Sequence, residues 1–328
     1  MINKNNTNNK INEGLLITYD QAVKLVVDEV DRILSSSPVI IRNYTKHLTE
    51  SKGKFIRAHS VLSCAMDGNG LIDPNAVKFA AAIELLHLAT LVHDDVIDNA
   101  ELRRGSETLQ KKYGKRTAVI CGDYLLAVSL KLAASIPNKE DFLDLNVEDY
   151  VAKVCLGELN QHINNFNLNL SVYKYLKIIS GKTAALFEAS FFAGAILCEK
   201  EKYVINKYKE LGRYIGMIFQ LTDDCMDFET TVDIAKKPVQ SDYEQGVVTL
   251  PLIYTLKNVS GFKEKIKTRE ITNEDINETV LKSGGLNYTH MFAKKYYNKC
   301  LYIINSLDIT EEKYKRLKNL LDKAYRVK

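Results

Sequence analysis

The chain has 328 residues, of which 46% are hydrophobic, and it is long enough to bury a substantial core. Its formal net charge is +4, from 45 basic and 41 acidic side chains that are interspersed along the sequence, so its composition does not favour nucleic-acid binding. The six cysteines form no Cys-x-x-Cys pair, which argues against a disulfide framework or a zinc site and fits a reducing cytoplasm.

The sequence predicts one domain, residues 13–328, because no Gly/Ser/Pro-rich linker interrupts it. An Asn/Lys-rich segment, residues 1–12, precedes this domain and is predicted to be a disordered tail. No uninterrupted apolar run reaches the roughly 18 residues that a membrane span needs, and the tail lacks the apolar core of a signal peptide. We therefore expect a cytoplasmic protein without a transmembrane segment.

The first half of the chain contains several helix signals. Thr18-Tyr-Asp-Gln21 is a capping-box pattern, and apolar residues at helical spacing follow it to about Ser35. Asp73-Pro74 predicts the start of a long helix that leads into the segment from Glu84 to Gly105. A further helix is expected from Ala118 to Ala134.

The second half continues in the same way. Ser171 is a predicted N-cap for a long run from Tyr173 to Leu197, and Tyr208 to Phe228 forms another. Thr249-Leu-Pro251 leads into the last helices. No segment shows the alternating pattern of a strand, so the sequence predicts an all-α protein with ten or more helices.

Two acidic motifs each follow an apolar helical run. The first is Asp94-Asp95-x-x-Asp98, which continues a helix stripe that also carries His87, and the second is Asp223-Asp224-Cys-Met-Asp227. One acidic cluster alone is commonly a solvated helix end. Two such clusters predict opposing walls of one cavity.

Six carboxylates that face one another need cations between them, because like charges disfavour ionisation. Oxygen ligands select Mg²⁺, or Mn²⁺ in its place, over zinc. Magnesium takes one or two protein carboxylates and fills its other positions with water and phosphate oxygens. The expected substrate is therefore a di- or triphosphate.

Basic residues accompany the acidic motifs, and each alone is typical of a solvated surface. Guanidinium groups bind phosphate through two hydrogen bonds, and lysine supplies a point charge. Several of these cations lie beside small residues and acid-bearing helices, which favours phosphate binding. The set is Lys52, Lys54, Arg57, Arg103, Arg104, Lys182 with Thr183, Lys236 and Lys237.

A di-iron carboxylate bundle uses some of the same residue types, because Glu84 and His87 form a Glu-x-x-His pair. Such a site needs a second pair. Glu158 and His162 have the wrong spacing, and the arginines would have no role.

The span from about Lys52 to Pro251 resembles the trans-polyprenyl diphosphate synthases, which are head-to-tail prenyltransferases. Within that family it most resembles the catalytic component of heptaprenyl diphosphate synthases. The motifs that carry the resemblance are the two aspartate motifs in order, Arg103-Arg104-Gly105, Gly181-Lys182-Thr183-Ala184, Gln220, Lys237-Pro238, Thr249-Leu250-Pro251 and the final Ser283–Tyr288 segment.

The resemblance implies an isoprenoid-synthase-type helical bundle around a deep central cavity. It implies that isopentenyl diphosphate is bound by Lys54, Arg57, His87 and Arg104. The residues implied for the allylic diphosphate are Arg103, Lys182, Thr183, Gln220 and Lys237. The metal set is Asp94, Asp98 and Asp223, with Asp95, Asp224 and Asp227 in support, and three Mg²⁺ ions are expected. The residues expected to carry catalysis are Asp94, Asp95, Asp98, Arg103, Lys182, Asp223 and Asp224.

Two positions depart from the family pattern. Ala58 follows Arg57 where the family has proline, so the preceding loop is less constrained. Val247 stands where the family often has lysine or glutamine.

The product length implied is about six to eight isoprene units, or C30–C40, for quinone side chains. Family members with short products place aromatic residues at the level of Ala89 or Thr90. Because Ala89 and Thr90 are small, they leave the channel of this chain open. A shorter product, such as a geranylgeranyl or farnesyl diphosphate, is the alternative.

Two other classes of protein fit these residues less well. A non-catalytic subunit would not need both acidic motifs with the basic residues, and a terpene cyclase would not need Lys54, Arg57 and His87. The expected assembly is a homodimer or a heterodimer with a small regulatory subunit. Peripheral membrane contact would serve product release.

Overall fold

The computed structural model describes residues 15–49, 53–103, 105–136, 147–233, 243, 245–268 and 270–326; the side chains of 49, 147–149 and 230–233 are left aside. The predicted tail, residues 1–12, lies outside this part of the chain. In the described residues the fold is all-α, as predicted, with fifteen α-helices. Two-residue strands form its one hairpin there.

The N-terminal half contains α1 to α6 and the hairpin. Their bounds are α1 Tyr19–Ser35, α2 Val39–Thr49, α3 Ile56–Cys64, α4 Asn75–Ile97, β1 Leu102–Arg103, β2 Ser106–Glu107, α5 Leu109–Tyr113 and α6 Lys115–Ala134.

The C-terminal half contains α7 to α15. Their bounds are α7 Val147–Ile163, α8 Val172–Ile179, a π-helical turn Ser180–Ala184, α9 Ala185–Ala195, α10 Lys202–Asp233, α11 Leu250–Asn258, α12 Phe262–Thr268, α13 Asn273–Ser283, α14 Gly285–Asn305 and α15 Glu311–Tyr325.

The helix starts predicted near Thr18, Asp73 and Ser171 agree with the structure, whereas α6 and α10 begin earlier than predicted, at Lys115 and Lys202. Thr18 accepts the Gln21 backbone N–H and Gln21 accepts the Thr18 N–H, so the capping box of α1 is complete. Asp73 accepts the Asn75 N–H at 2.7 Å, and Ser171 accepts the Lys174 N–H at the start of α8. These bonds satisfy backbone donors that a first helical turn leaves without partners.

Helix α4 is the centre of the N-terminal half. Its apolar residues occur on all sides because it packs against α1, α3, α6 and α9. The C-terminal half has its own apolar clusters among α8, α10, α11, α14 and α15. Burial on every side fixes α4 within the bundle, so the acids at its C-terminal end have a defined direction.

Two helices are long and apolar enough to cross a membrane by length and composition alone. Asn75–Ile97 is mostly buried inside the protein, as expected of a core helix. Lys115–Ala134 is mostly uncovered, and Val119, Ile120 and Leu130 on it are exposed.

The sequence did not predict that the run from Tyr173 to Leu197 would be interrupted by the π-helical turn Ser180–Ala184. Such turns are frequent at functional sites because they redirect side chains without ending the helix. Here α7 lies against the turn at Gly157, where an added Cβ would come within 2.2 Å of the Lys182 backbone nitrogen.

This contact yields a stability prediction. Gly157→Ala should lower the free energy of unfolding by about 1–3 kcal/mol, because backbone atoms must move to admit the methyl group. The measurement is thermal or urea unfolding. The matched control is Gly68→Ala, since no atom lies within 4 Å of the added Cβ there. Equal unfolding transitions for the two variants would contradict the described contact.

Candidate active site

An open cavity of about 720 Å³ lies between the C-terminal part of α4, α7, the π-helical turn and α10. Charged side chains of both signs line it. They include Asp94, Asp98, Glu158 and Asp223 with Arg103 and Lys182. The two acidic motifs, far apart in sequence, therefore contribute to one cavity.

The first acidic motif divides its carboxylates between two directions. Asp94 and Asp98 line the cavity, whereas Asp95 is buried and accepts a hydrogen bond from Arg103 Nε at 2.7 Å. Burial raises the pKa of Asp94 to about 7, although the nearby Lys182 ammonium lowers the pKa in part. The pKa of Asp98 is also raised by burial.

The hairpin after α4 sets the position of Arg103. Gly105 has φ 81°, a left-handed conformation that glycine adopts without strain, and Arg103 pairs with Ser106. This turn directs the Arg103 guanidinium back to Asp95. Arg104 lies outside the described residues.

Lys182 on the π-helical turn faces α7. Its Nζ lies 2.7 Å from Glu158 Oε2. Burial lowers the pKa of Lys182, but Glu158, Asp94 and Asp98 raise it more, so the net pKa is above the usual lysine value. The ammonium group is therefore held charged among three carboxylates.

The second acidic motif is divided like the first. Asp223 lines the cavity, and Asp224 is buried against α8. Asp224 Oδ2 accepts a hydrogen bond from Tyr175 Oη, and its Oδ1 accepts one from Gln220 Nε2 at 2.7 Å. Burial raises the pKa of Asp224, and these two hydrogen bonds oppose the increase. Thr183 Oγ1 donates to Gln220 Oε1 at 2.6 Å, so this chain of bonds connects α8, the π-helical turn and α10.

The cavity carboxylates suit a metal that also binds phosphate. In the residues the structure describes, no three His, Cys, Asp or Glu side chains form a group that could hold an ion by themselves. A divalent metal can be held by one or two protein carboxylates when diphosphate oxygens fill its other positions. Asp94, Asp98 and Asp223 are the residues that would hold it.

Many of the residues singled out in the sequence line this cavity. Besides the charged set above, they are Arg57, His87, Thr90, Thr183 and Gln220.

The remaining predicted residues lie elsewhere. Lys54 is exposed, Asp227 is half-buried, and neither lines the cavity. Ala89 is buried with α1 and α6 rather than facing the cavity. Lys237, like Lys52 and Lys236, falls outside the described residues. The roles assigned to all these residues stay predictions.

The structure also bears on the di-iron alternative. Glu84 Oε1 accepts the Ala58 backbone N–H at 2.8 Å, so this carboxylate stabilises the start of α3. His87 instead lines the cavity, two turns before Asp94. The Glu-x-x-His spacing therefore reflects two different contacts.

Three residues with direct contacts to the site were not predicted to have a role. Glu158 belongs to a Gly-Glu-x-x-Gln pattern, which could have identified it. Tyr175 is one of several aromatic residues in an amphipathic helix and gives no separate signal. Arg326 donates a hydrogen bond to Asp223 from the C-terminal end of the chain, and nothing in its local sequence indicates this contact.

The comparisons with known proteins agree with this fold and cavity. The Polyprenyl synthetase family model matches residues 38–283. Heptaprenyl diphosphate synthase component 2 of Bacillus subtilis is 34% identical over 291 residues, covering 87% of this chain and 82% of the relative. The all-trans-nonaprenyl-diphosphate synthase (geranyl-diphosphate specific) of Rhodobacter capsulatus is 32% identical over 280 residues, covering 84% of this chain and 85% of the relative.

A solved structure gives the same result for the fold. Heptaprenyl diphosphate synthase of Staphylococcus aureus superposes with a TM-score of 0.85 at 31% identity, covering 95% of this chain and 99% of that chain. The fold and the cavity are those of an all-α prenyltransferase. The chain belongs to the polyprenyl synthetase family.

The raised pKa of Asp94 yields a prediction for the protein in metal-free buffer. Its folded-state pKa of about 7 exceeds the ordinary value of 3.8, so the folded protein favours the protonated carboxyl. The contribution of this carboxyl to the free energy of unfolding is complete below about pH 4 and is lost as pH rises through about 7. We expect the melting temperature of the wild type to fall between pH 5 and pH 8, and the melting temperature of Asp94→Asn to fall less over the same range.

Thermal melts across this pH range are the measurement. Asp28→Asn, at an exposed position on α1, is the matched control and should follow the wild type. The assignment would be wrong if Asp94→Asn lost as much stability as the wild type over the same range.

Proposed function

We propose that the chain catalyses the Mg²⁺-dependent head-to-tail addition of isopentenyl diphosphate to an allylic diphosphate such as farnesyl diphosphate. The product is an all-trans polyprenyl diphosphate of about C30–C40 for quinone side chains. The observation that supports this most is that one cavity is lined by Asp94, Asp98 and Asp223 together with Arg103 and Lys182. Carboxylates facing ammonium and guanidinium groups suit two anionic diphosphates and their metal ions.

The chemistry needs stabilisation of the leaving group. Lys182 and Arg103 would bind the allylic diphosphate and stabilise the negative charge that develops on it as the C–O bond breaks. Magnesium, expected as three ions and replaceable by manganese, would supply further charge neutralisation when bound. Arg57 and His87 would hold isopentenyl diphosphate so that its double bond attacks the allylic carbon, after which proton loss restores an alkene. The departing diphosphate would accept this proton, so no side-chain base is required.

Arg57 is fixed for this role by its surroundings. Its side chain is buried, and its guanidinium lies 4.8 Å from the centroid of the Phe187 ring. The centroid of the Phe187 ring in turn lies 5.5 Å from the ring centroid of Phe219, which lines the cavity. A guanidinium stacked on an aromatic ring keeps its orientation while its edge N–H groups bind phosphate.

A long product is supported by the apolar part of the lining. Leu91, Val154, Leu159, Leu186 and Phe219 line the cavity beside the charged groups. An apolar chain in contact with these residues is removed from water. Relatives named for a heptaprenyl and a nonaprenyl product lie within the proposed range and one isoprene unit above it, respectively.

Product length is tested best at Thr90. Thr90 lines the cavity one turn before Asp94, whereas Ala89 packs towards α1 and α6. We expect Thr90→Phe to shorten the main product because its ring would enter the path of the growing chain. Products from labelled isopentenyl diphosphate are sized by chromatography. Thr90→Val, which keeps the side-chain volume, should retain the wild-type length, and an unchanged product of Thr90→Phe would contradict this path.

We propose that the chain assembles with a second, different subunit. We also propose that this assembly is cytoplasmic. The name component 2 of the Bacillus subtilis relative refers to a multi-component enzyme. Exposed apolar residues of this chain also suit a partner. They are Val119 and Ile120 of α6 and Leu156 and Ile163 of α7. Exposed apolar surface of this kind is typical of a protein interface.

An elongation assay tests activity and assembly together. The purified chain with Mg²⁺, farnesyl diphosphate and labelled isopentenyl diphosphate should give little long-chain product until an extract of its native cells, depleted of this chain, is added. Asp94→Ala should abolish the restored activity, and Leu156→Glu should prevent restoration while leaving the thermal melt unchanged.

The possible outcomes separate the two parts of the proposal. Full elongation by the chain alone would contradict the need for a different subunit and favour a homodimer. Near-normal restored activity of Asp94→Ala would refute the catalytic assignment. Elongation absent under every condition would favour the non-catalytic subunit.

A further inference from the structure

The C-terminal end of α15 contacts the second acidic motif. Thr222 Oγ1 donates a buried hydrogen bond to the Ala324 carbonyl at 2.8 Å. Two residues later, Arg326 Nη2 donates to Asp223 Oδ1. The Arg326 guanidinium also lies 5.8 Å from the centroid of the Phe219 ring. Asp223 and Phe219 both line the cavity, so α15 brings a cation to the cavity wall.

The backbone at Arg326 is unusual for this residue type. Arg326 has φ 53° and ψ 41°, a left-handed conformation just beyond the last residue of α15. Glycine is the common residue at this position, and another L-residue costs on the order of 1 kcal/mol there. The contacts of the Arg326 side chain with Asp223 and Phe219 offset this cost. The arginine is thus held at Asp223 by its surroundings.

The charge that Arg326 neutralises belongs to a crowded acidic region. Asp223 adjoins the buried Asp224, whose pKa is raised by burial and, to a smaller extent, by Asp223 itself. Asp223 would also hold a metal ion under the proposed function. A guanidinium and a divalent cation on one carboxylate repel each other because they lie within a few ångströms.

We infer that Arg326 is an internal counter-cation of Asp223 that must withdraw from this carboxylate when a divalent metal binds. This inference rests on the proposed function, which assigns Asp223 to the metal. Arg326 is a positioning residue because it acts through Asp223. Its contact lowers the affinity for metal and couples the C-terminal turn to metal binding. Arg326 donates to Asp223 through Nη2, whereas its Nη1 group is buried and has no hydrogen-bond acceptor in the described residues.

The test is Arg326→Gln in the full chain, with Mn²⁺ and inorganic pyrophosphate as the probe. Calorimetry gives the apparent Kd for Mn²⁺, and thermal melts are taken with and without the probe. We expect Mn²⁺ to bind about two- to fivefold more tightly to the variant, as suits the loss of a partly exposed ion pair. The variant should melt at a lower temperature without metal and gain more on adding it.

The same helix provides a matched control. Arg316 also pairs with a carboxylate, Glu312, and stacks on an aromatic ring, Tyr19, but it lies away from the cavity. Arg316→Gln should lower the melting temperature without changing the Kd for Mn²⁺. Arg326→Lys retains the positive charge and should bind Mn²⁺ with an affinity closer to that of the wild type.

Each result has a defined meaning. Equal or weaker Mn²⁺ binding by Arg326→Gln, when the wild type does bind the ion, would overturn the inference alone. Weaker binding would show that Arg326 supports Asp223 as a ligand. If neither protein bound Mn²⁺ with pyrophosphate, both the inference and the metal assignment in the proposed function would be overturned.

Discussion

Carboxylates of two helices meet in one cavity, and the rest of the site depends on how their charge is balanced. Water cannot solvate Asp94 and Asp98 fully because α4 is packed on nearly all sides. Burial accordingly raises the pKa values of Asp94 and Asp98. Protein cations offset part of this cost, with Lys182 between Glu158 and the first motif and Arg326 on Asp223. Further cations, brought with a diphosphate, complete the balance.

The two acidic motifs use the same structural arrangement. In each, a carboxylate next to a cavity-facing aspartate turns inward and fixes another side chain. Asp95 holds Arg103, and Asp224 is held by Tyr175 and Gln220. Contacts of this kind fix the orientation of groups that bind metal or substrate, and their loss typically costs about 10- to 100-fold in metal affinity or activity.

The sequence was sufficient for the fold class, the capped starts of α1 and α8, and the cavity to which both acidic motifs contribute. Helical spacing places Asp94 and Asp98 on one face, which is a local property that sequence reveals. It did not reveal the π-helical turn at Lys182, because that depends on the packing of α7 at Gly157. Nor did it reveal the contact of Arg326 with Asp223, which joins residues far apart in the chain. Ala89 illustrates the same limit, since its neighbour Thr90 faces the cavity instead.

The central claim is that Asp94, Asp98 and Asp223 bind divalent metal together with an allylic diphosphate. The most direct measurement is a crystal structure of the chain grown with Mn²⁺ and a non-hydrolysable farnesyl diphosphate analogue, with anomalous diffraction data. The account predicts anomalous peaks between these carboxylates and the diphosphate oxygens, with Lys182 and Arg103 on the same diphosphate. A diphosphate bound elsewhere, or bound here without a metal peak beside either motif, would contradict it.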